Sequence, residues 1–318
     1  MKKLLSLCLA LLAVLAIASC SKDKKATYRF ITGGAAGTYY AFGSVIAQHA
    51  SNHTDYRFVG LVGPGSQGNI LALQDGTADL AFAQSDVLSY AYQGVNNFAQ
   101  TGKMECFSAV AALYSEQVQI VTLDPSIKTV ADLRGKTVSI GASGSGVYFN
   151  AIDILGVYGL IEQDIKATYQ SFGDSADALK DGKIDAAFIV AGAPTTAVTD
   201  LATTKKVHLV SLDEMHANIL IARSPYYTKS VIPKETYGLE RDAQTVAVSA
   251  VIVARDDMPG EAVYSLCADI FDNAPKLASS HAKYKEVFPA YGASVRTVPY
   301  HPGAARYFAE QGLEVSTK

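Results

Sequence analysis

The chain has 318 residues, 27 basic and 30 acidic side chains, and a formal net charge of −3. An acidic balance with no basic stripe leaves nothing to neutralise a phosphate backbone, so nucleic acid is excluded as a partner. The length is enough for two domains.

Residues 1–19 read MKKLLSLCLALLAVLAIAS, two lysines followed by an apolar run too short and lightly flanked for a membrane span. Small residues before a cut and Cys20 just after it match the bacterial lipobox. Lipidation of Cys20 is therefore expected, with an ordinary signal-peptide cut as the alternative. Two lipid chains there would tie the protein stably to a membrane surface. Residues 20–26 then form a solvated tether, Cys20 followed by SKDKK and Ala26. Removal of Lys2 and Lys3 lowers the basic count from 27 to 25 against 30 acidic side chains, a net charge of −5. No later stretch of about 20 apolar residues appears, so a soluble body is expected. Cys106 and Cys267 lie in apolar surroundings and read as buried free thiols, with a disulfide between them chemically open in an exported protein. No motif for a metal or cofactor is present.

From residue 28 a β-prone run leads into GGAAGTYY (33–40) and then a helical pattern, AFGSVIAQHAS. The strand YRFVGLV leads into VGPGSQGN (62–69). LQDGTADLAF (73–82) predicts a helix ending at Gly76 and then a buried strand, followed by AQSDVLSY (83–90). Residues 105–123 form a long β-rich stretch. KTVSIGASGSGVYFNA (136–151) again reads strand, glycine turn, helix. LKDGKIDAAF (179–188) predicts a helix ending at Gly182 and a second buried strand, and VAGAPTTAV (190–198) follows it. A second long β-rich stretch spans 243–258, before two helical segments, EAVYSLCADIFDN and GAARYFAEQGLE.

The chain thus contains itself twice. Gly37-Thr-Tyr-Tyr aligns with Gly146-Val-Tyr-Phe at a separation of 109 residues, and L-x-D-G-x-x-D-x-A-F recurs at 106. Each Asp-Gly alone is an ordinary helix C-cap, with glycine in the left-handed conformation. Two matches in order at nearly equal spacing argue for two similar α/β lobes with largely parallel sheets. The long stretches read as crossovers. Lobe one is expected over 27–121 and 249–318, lobe two over 122–248, with a hinged cleft between them lined by strand C-terminal ends.

A helix N-terminus presents about four unpaired N–H groups and roughly half a positive charge, and glycine lets a ligand approach the backbone. GGAAGTYY and GASGSGVY are therefore candidate sites for an anion or small polar oxygen, with hydroxyls from Thr38, Ser143 and Ser145. Simple chain reversal is the structural alternative. Ser66, Gln67 and Asn69, and Gln84, Ser85 and Asp86, fall where ligand contacts or plain caps would both sit. A dinucleotide fingerprint fails because Thr32 stands two before Gly34, and a P-loop fails for want of the lysine. No nucleophile elbow with acid and histidine occurs. Asp86 and Glu116 are the carboxylates nearest the expected cleft, where partnership with a bound ammonium fits better than acid–base catalysis.

With these stretches in view, the chain resembles the TAXI-type solute receptors of TRAP transporters. ITGGAAGTYYAFGSVIAQ, LVGPGSQGNILALQDGTADLAFAQSD, VAALYSEQVQIV, DLRGKTVSIGASGSGVYFNA, DGKIDAAFIVAGAP and VPYHPGAARYFAEQG carry the likeness in order. Ala35-Ala36 and Tyr300 depart from the usual pattern. The resemblance implies an α/β, two-lobed type II periplasmic-binding-protein fold that is not an enzyme and uses no cofactor. It implies capture of a small organic acid or amino acid, glutamate- or 2-oxoglutarate-like, and delivery to a TRAP membrane permease. It places ligand contacts at Gly34, Ala36, Gly37, Thr38, Tyr39, Ser66, Asn69, Gln84, Ser85, Tyr114, Ser143, Gly144, Ser145 and Gly146. A receptor feeding a signalling kinase, an enzyme on the same fold and a surface adhesin remain as alternatives.

Overall fold

A computed structural model describes residues 25–318. The expected signal peptide (1–19), Cys20 and most of the tether (20–26) lie outside the described residues. No helix among the described residues is long and apolar enough to cross a membrane.

The first unit runs β1 (Thr27–Ile31), α1 (Thr38–His53), β2 (Arg57–Leu61), α2 (Ser66–Gln74), β3 (Leu80–Gln84) and α3 (Ser85–Gln93). After the long strand β4 (Phe107–Thr122), the second unit repeats it with β5 (Thr137–Ser139), α4 (Val147–Val157), β6 (Lys166–Thr168), α5 (Phe172–Lys180), β7 (Ala186–Ala191) and α6 (Thr196–Thr204). There follow β8 (His208–Leu209), α7 (Glu214–Arg223), β9 (Thr228–Ile232) and a second long strand, β10 (Ala243–Arg255). Helices α8 (Gly260–Asp272) and α9 (Pro302–Glu310) pack back on the first unit.

The sequence repeat is a structural repeat. α2, shifted by 106 residues, coincides with α5, and both end one residue before an Asp-Gly pair whose glycine is left-handed, Gly76 at φ 67° and Gly182 at φ 68°. The second aspartate of each repeat, Asp79 or Asp185, accepts a hydrogen bond from the first strand of its own unit. Asp79 Oδ2 accepts from Arg29 N at 2.7 Å and Asp185 Oδ2 from Thr137 N at 2.7 Å. This brace anchors strand one to strand three, which run parallel in both units.

The ten strands among the described residues join in one sheet, ordered β2-β1-β3-β10-β4-β7-β5-β6, with β8 on β4 and β9 on β10. β4 and β10 run antiparallel to each other and to the strands beside them. They are therefore not detached linkers but hydrogen-bonded members of both halves, and the sheet is mixed rather than largely parallel. Phe107–Tyr114 of β4 and Ala250–Ala254 of β10 belong to the apolar core of the first lobe, together with α1, α8 and α9. Val118–Val121 and Ala243–Val248 belong to two further cores that draw only on residues 118–248. Cys267 is buried, Cys106 is half-buried, and both are free thiols.

Candidate functional site

Between the lobes lies a cavity of about 380 Å³. Four helices point their N-termini at it: α1 through Gly37 and Thr38, α2 through Gly65 and Ser66, α4 through Gly146 and Val147, and α5 through Ser171 and Phe172. Gly37 and Gly146, paired by the repeat, are the N-caps of α1 and α4, and neither helix has a side-chain cap or an acidic residue in its first turn. First-turn N–H groups have no carbonyl to bond within their own helix. They are the natural donors of this cavity.

The lobes meet around the cavity through direct hydrogen bonds. Thr38 Oγ1 donates to Gly192 O at 2.8 Å, Gly68 N to Gly144 O at 3.0 Å and Ala197 N to Ala36 O at 3.2 Å. Behind it, Gln84 Nε2 donates to Asn150 Oδ1 at 3.0 Å, and Asn150 Nδ2 donates to Asp86 Oδ2 at 3.0 Å and to Tyr227 OH at 2.8 Å. A Cβ placed on Gly146 would sit 1.5 Å from Gln84 Oε1 and 2.9 Å from Val87. Glycine at 146 is thus required by the contact between lobes as well as by the cavity.

Of the residues singled out in the sequence, Gly34, Ala36, Gly37, Thr38, Tyr39, Ser66, Gln84, Ser145 and Gly146 line this cavity. The others are placed elsewhere. Asn69 is fully buried and ties β1 to β3, donating to Thr32 O and to Phe82 O at 2.8 Å. Ser85 accepts from Ser249 N at 3.2 Å. Tyr114 is fully buried with its ring edge-on to Phe42. Ser143 and Gly144 line a second surface pocket beyond Ser145, with Tyr148, Phe149 and Tyr169. Four lining hydroxyls already spend their proton, Thr38 on Gly192 O, Tyr39 on Glu116, Ser145 on Ala142 O at 2.7 Å and Ser171 on Asp174 at 2.6 Å, so backbone N–H groups, with the Ser66 hydroxyl, are left as the main donors.

The N-cap and first turn of α5, Ser171-Phe172-Gly173-Asp174, also line the cavity, though the sequence had not marked them as ligand contacts. The repeat could have found them, since the offset of 106 that carries α2 onto α5 carries Gly65 onto Ser171. Glu116 is a lining residue too, 2 % exposed, and Tyr39 OH donates to its Oε2 at 2.7 Å. Burial pushes the Glu116 carboxyl up to about 8, against the opposing Tyr39 hydrogen bond. Asp86 does not line the cavity; burial raises it to about 7, opposed by the bond from Asn150. Away from the cleft, the fold brings His49, His53 and Asp269 together, with His49 Nδ1 2.9 Å from both Asp269 oxygens. The i, i+4 spacing of the two histidines was legible, but Asp269, on α8, was not.

Two α/β lobes sharing two antiparallel strands and closing over a cavity lined by helix N-termini define the type II periplasmic-binding-protein fold. The alkanesulfonate-binding protein SsuA from Xanthomonas axonopodis pv. citri, bound to MOPS, is similar with a TM-score of 0.53 and 17% identity, over 90% of this chain and 84% of that one. An ancestral arginine-binding protein bound to arginine is similar at 0.50 and 15% identity, over 84% and 98%. The GluR0 ligand-binding core in complex with L-glutamate is similar at 0.51 and 8% identity, over 84% and 100%. The chain belongs to the NMT1-like family, whose family model matches residues 30–312.

Proposed function

We propose that the protein is an extracytoplasmic solute receptor. It takes a small organic acid or amino acid into the interlobe cavity and delivers it to a TRAP-type membrane permease. Lobe one comprises 27–121 and 249–318, lobe two 122–248, and Cys20 carries a lipid anchor. The observation that supports this best is the cavity itself, enclosed between two lobes and supplied with backbone donors from four helix N-termini. Such donors suit a carboxylate or another small polar oxygen. The lining holds no histidine, cysteine, lysine or arginine, and its Ser171–Asp174 hydrogen bond at 2.6 Å belongs to the N-terminal cap of α5, which favours binding over turnover. Similar folds hold MOPS, arginine and L-glutamate, all small polar solutes.

Purification under native conditions, followed by denaturation and mass spectrometry, tests the reading. The expected result is release of one small polar molecule that raises the melting temperature of stripped protein and lowers its radius of gyration in solution scattering. Stripped protein that no small acid or amino acid stabilises would refute it.

A further inference from the structure

The cavity is lopsided in charge. Its lining contains three carboxylates, Glu116, Asp174 and Asp177, and no cationic side chain. Asp174 and Asp177 are exposed to solvent, which screens them, whereas Glu116 is buried and cannot be so relieved. Among the described residues its hydrogen bonding is limited to Tyr39 OH. Lys283 does not line the cavity; its Nζ is ion-paired with Glu286 and lies 5.5 Å from the centre of the Tyr114 ring. Tyr39, Tyr114, Asp86, Lys283, Glu286 and Tyr291 are the titratable groups around this carboxyl, and none gives it a cationic hydrogen-bond partner. A second lining acceptor, Gln84 Oε1, is 2 % exposed as a residue and has no partner among the described residues. Two lining residues, Glu116 and Gln84, therefore carry buried acceptor oxygens beside a set of backbone donors, the Gln84 oxygen lying against Gly146.

We infer that the ligand carries an ammonium group and that Glu116 is its counter-ion, so that the site takes α-amino acids and rejects the matching 2-oxo acids. This rests on the receptor reading above and narrows it. A carboxylate on the helix N-termini uses the donors. An ammonium, with three N–H donors, uses Glu116 and leaves one bond for Gln84 Oε1. A 2-oxo acid offers only acceptors, so it leaves Gln84 Oε1 unmatched and can bond Glu116 only in its protonated form. With its carboxyl raised to about 8, Glu116 is mostly neutral at pH 7, yet ionising it there costs only about tenfold in affinity, one unit of pH. Binding an ammonium fixes the ionised form and expels a proton. Amino-acid affinity should therefore rise with pH, approaching tenfold per unit below about 8 and levelling above it. An oxo acid held by protonated Glu116 would show the opposite slope.

The test is calorimetry at pH 6, 7 and 8 on stripped full-length protein. The probes are L-alanine and pyruvate, L-leucine and 4-methyl-2-oxopentanoate, L-glutamate and 2-oxoglutarate, and L-phenylalanine and phenylpyruvate. At least one amino acid is expected to bind, with its oxo partner about 10- to 150-fold weaker, the span of one lost hydrogen bond to a charged group. Glu116→Gln should remove both the preference and the pH slope while circular dichroism stays native. Tyr39→Phe keeps the carboxylate but removes a bond that stabilises its ionised form, so the midpoint of the slope should move to higher pH. An oxo acid binding as tightly as its amino partner, or affinity falling as pH rises, overturns the inference and leaves the receptor reading standing. So does a natively released ligand without an amine, whereas a released amine with no binding among the eight probes supports it. Failure of every probe together with release of no ligand overturns both.

Discussion

The β1–β3 and β5–β7 units share order, direction and caps, yet they face the cavity with different chemistry. Tyr39 and Tyr148 occupy the same place in the repeat. Tyr39 turns inward and donates to Glu116 at 2.7 Å, while Tyr148 donates to Glu162 at 2.9 Å, outside the main cavity. β3 ends in Gln84, a side chain with two hydrogen-bonding ends, and β7 ends in Ala191, which has none. Lobe one therefore supplies the buried acceptors, and lobe two contributes mostly backbone. The difference separates what the repeat preserves, namely braces and caps that hold the frame, from what it lets vary, namely the side chains that choose a ligand.

The sharpest way to break the comparison is at the paired N-cap glycines. A Cβ on Gly37 would find its nearest neighbour, Gly34 O, at 3.3 Å, whereas on Gly146 it would meet Gln84 Oε1 at 1.5 Å. Gly146→Val is expected to abolish measurable binding of the natively released ligand, because Gln84 must leave Asn150 before the lobes can close. Gly37→Ala should cost less than about tenfold, the scale of one neutral hydrogen bond. Combining Gly146→Ala with Gln84→Ala should recover part of what Gly146→Ala alone loses. No recovery would mean that Gly146 serves the ligand and not the lobe contact.

The braces come next. Asp79→Ala and Asp185→Ala should each destabilise by about 1.5–3 kcal/mol in urea unfolding, the worth of a hydrogen bond to a charged group. Asp79 also receives a fork from Arg29 at 2.8 and 3.0 Å, but the Arg29 side chain is 43% exposed. Arg29→Ala should then cost under about 1 kcal/mol. Burial pushes Asp79 up, but bonds from the Arg29 side chain and backbone outweigh it and hold the carboxyl below its ordinary value. A depressed carboxyl stabilises fully above its unfolded value of about 4, and that contribution is lost as pH falls through the folded value. Asp79→Ala should therefore lose its effect in acid. Unequal losses at 79 and 185 would show that the ion pair, and not the backbone brace, is the repeated device.

Much of this frame was legible because it is local. Asp-Gly at a helix end and a glycine turn before a helix work within a few residues, so Gly76, Gly182, Gly37 and Gly146 marked their own roles. The ligand-facing side chains were less legible because a strand buried on both faces has no alternation to read. β4 is apolar or small over most of its length; Glu116 stood out as a carboxylate near the expected cleft, but nothing in VAALYSEQVQIV marks that Tyr114, two residues earlier, lies fully buried in the core rather than at the cavity. Asn69 looked like a ligand contact for the same reason. An amide near an N-cap can point either way, and here it serves two strand carbonyls.

The smallest expected effect on ligand affinity lies at Thr38, which with Val147 forms the pair of first helical residues of α1 and α4. They are nearly isosteric and differ in one hydroxyl. Thr38 uses it to reach Gly192 O across the cleft, and that carbonyl also accepts from Thr195 Oγ1 at 3.2 Å. Thr38→Val therefore removes one neutral bond without orphaning its acceptor, which costs about 1 kcal/mol, or roughly fivefold in affinity. The loss should fall on ligand binding more than on urea stability, because the bond joins the lobes and does not hold either one together. Val147→Thr asks the converse question. Val147 is buried in the second-lobe core, where an added hydroxyl has no equivalent of Gly192 to reach, so that change should lower urea stability by about 1–3 kcal/mol. Equal losses of affinity and stability in Thr38→Val would place its hydroxyl in the frame of lobe one rather than in the closure of the cleft.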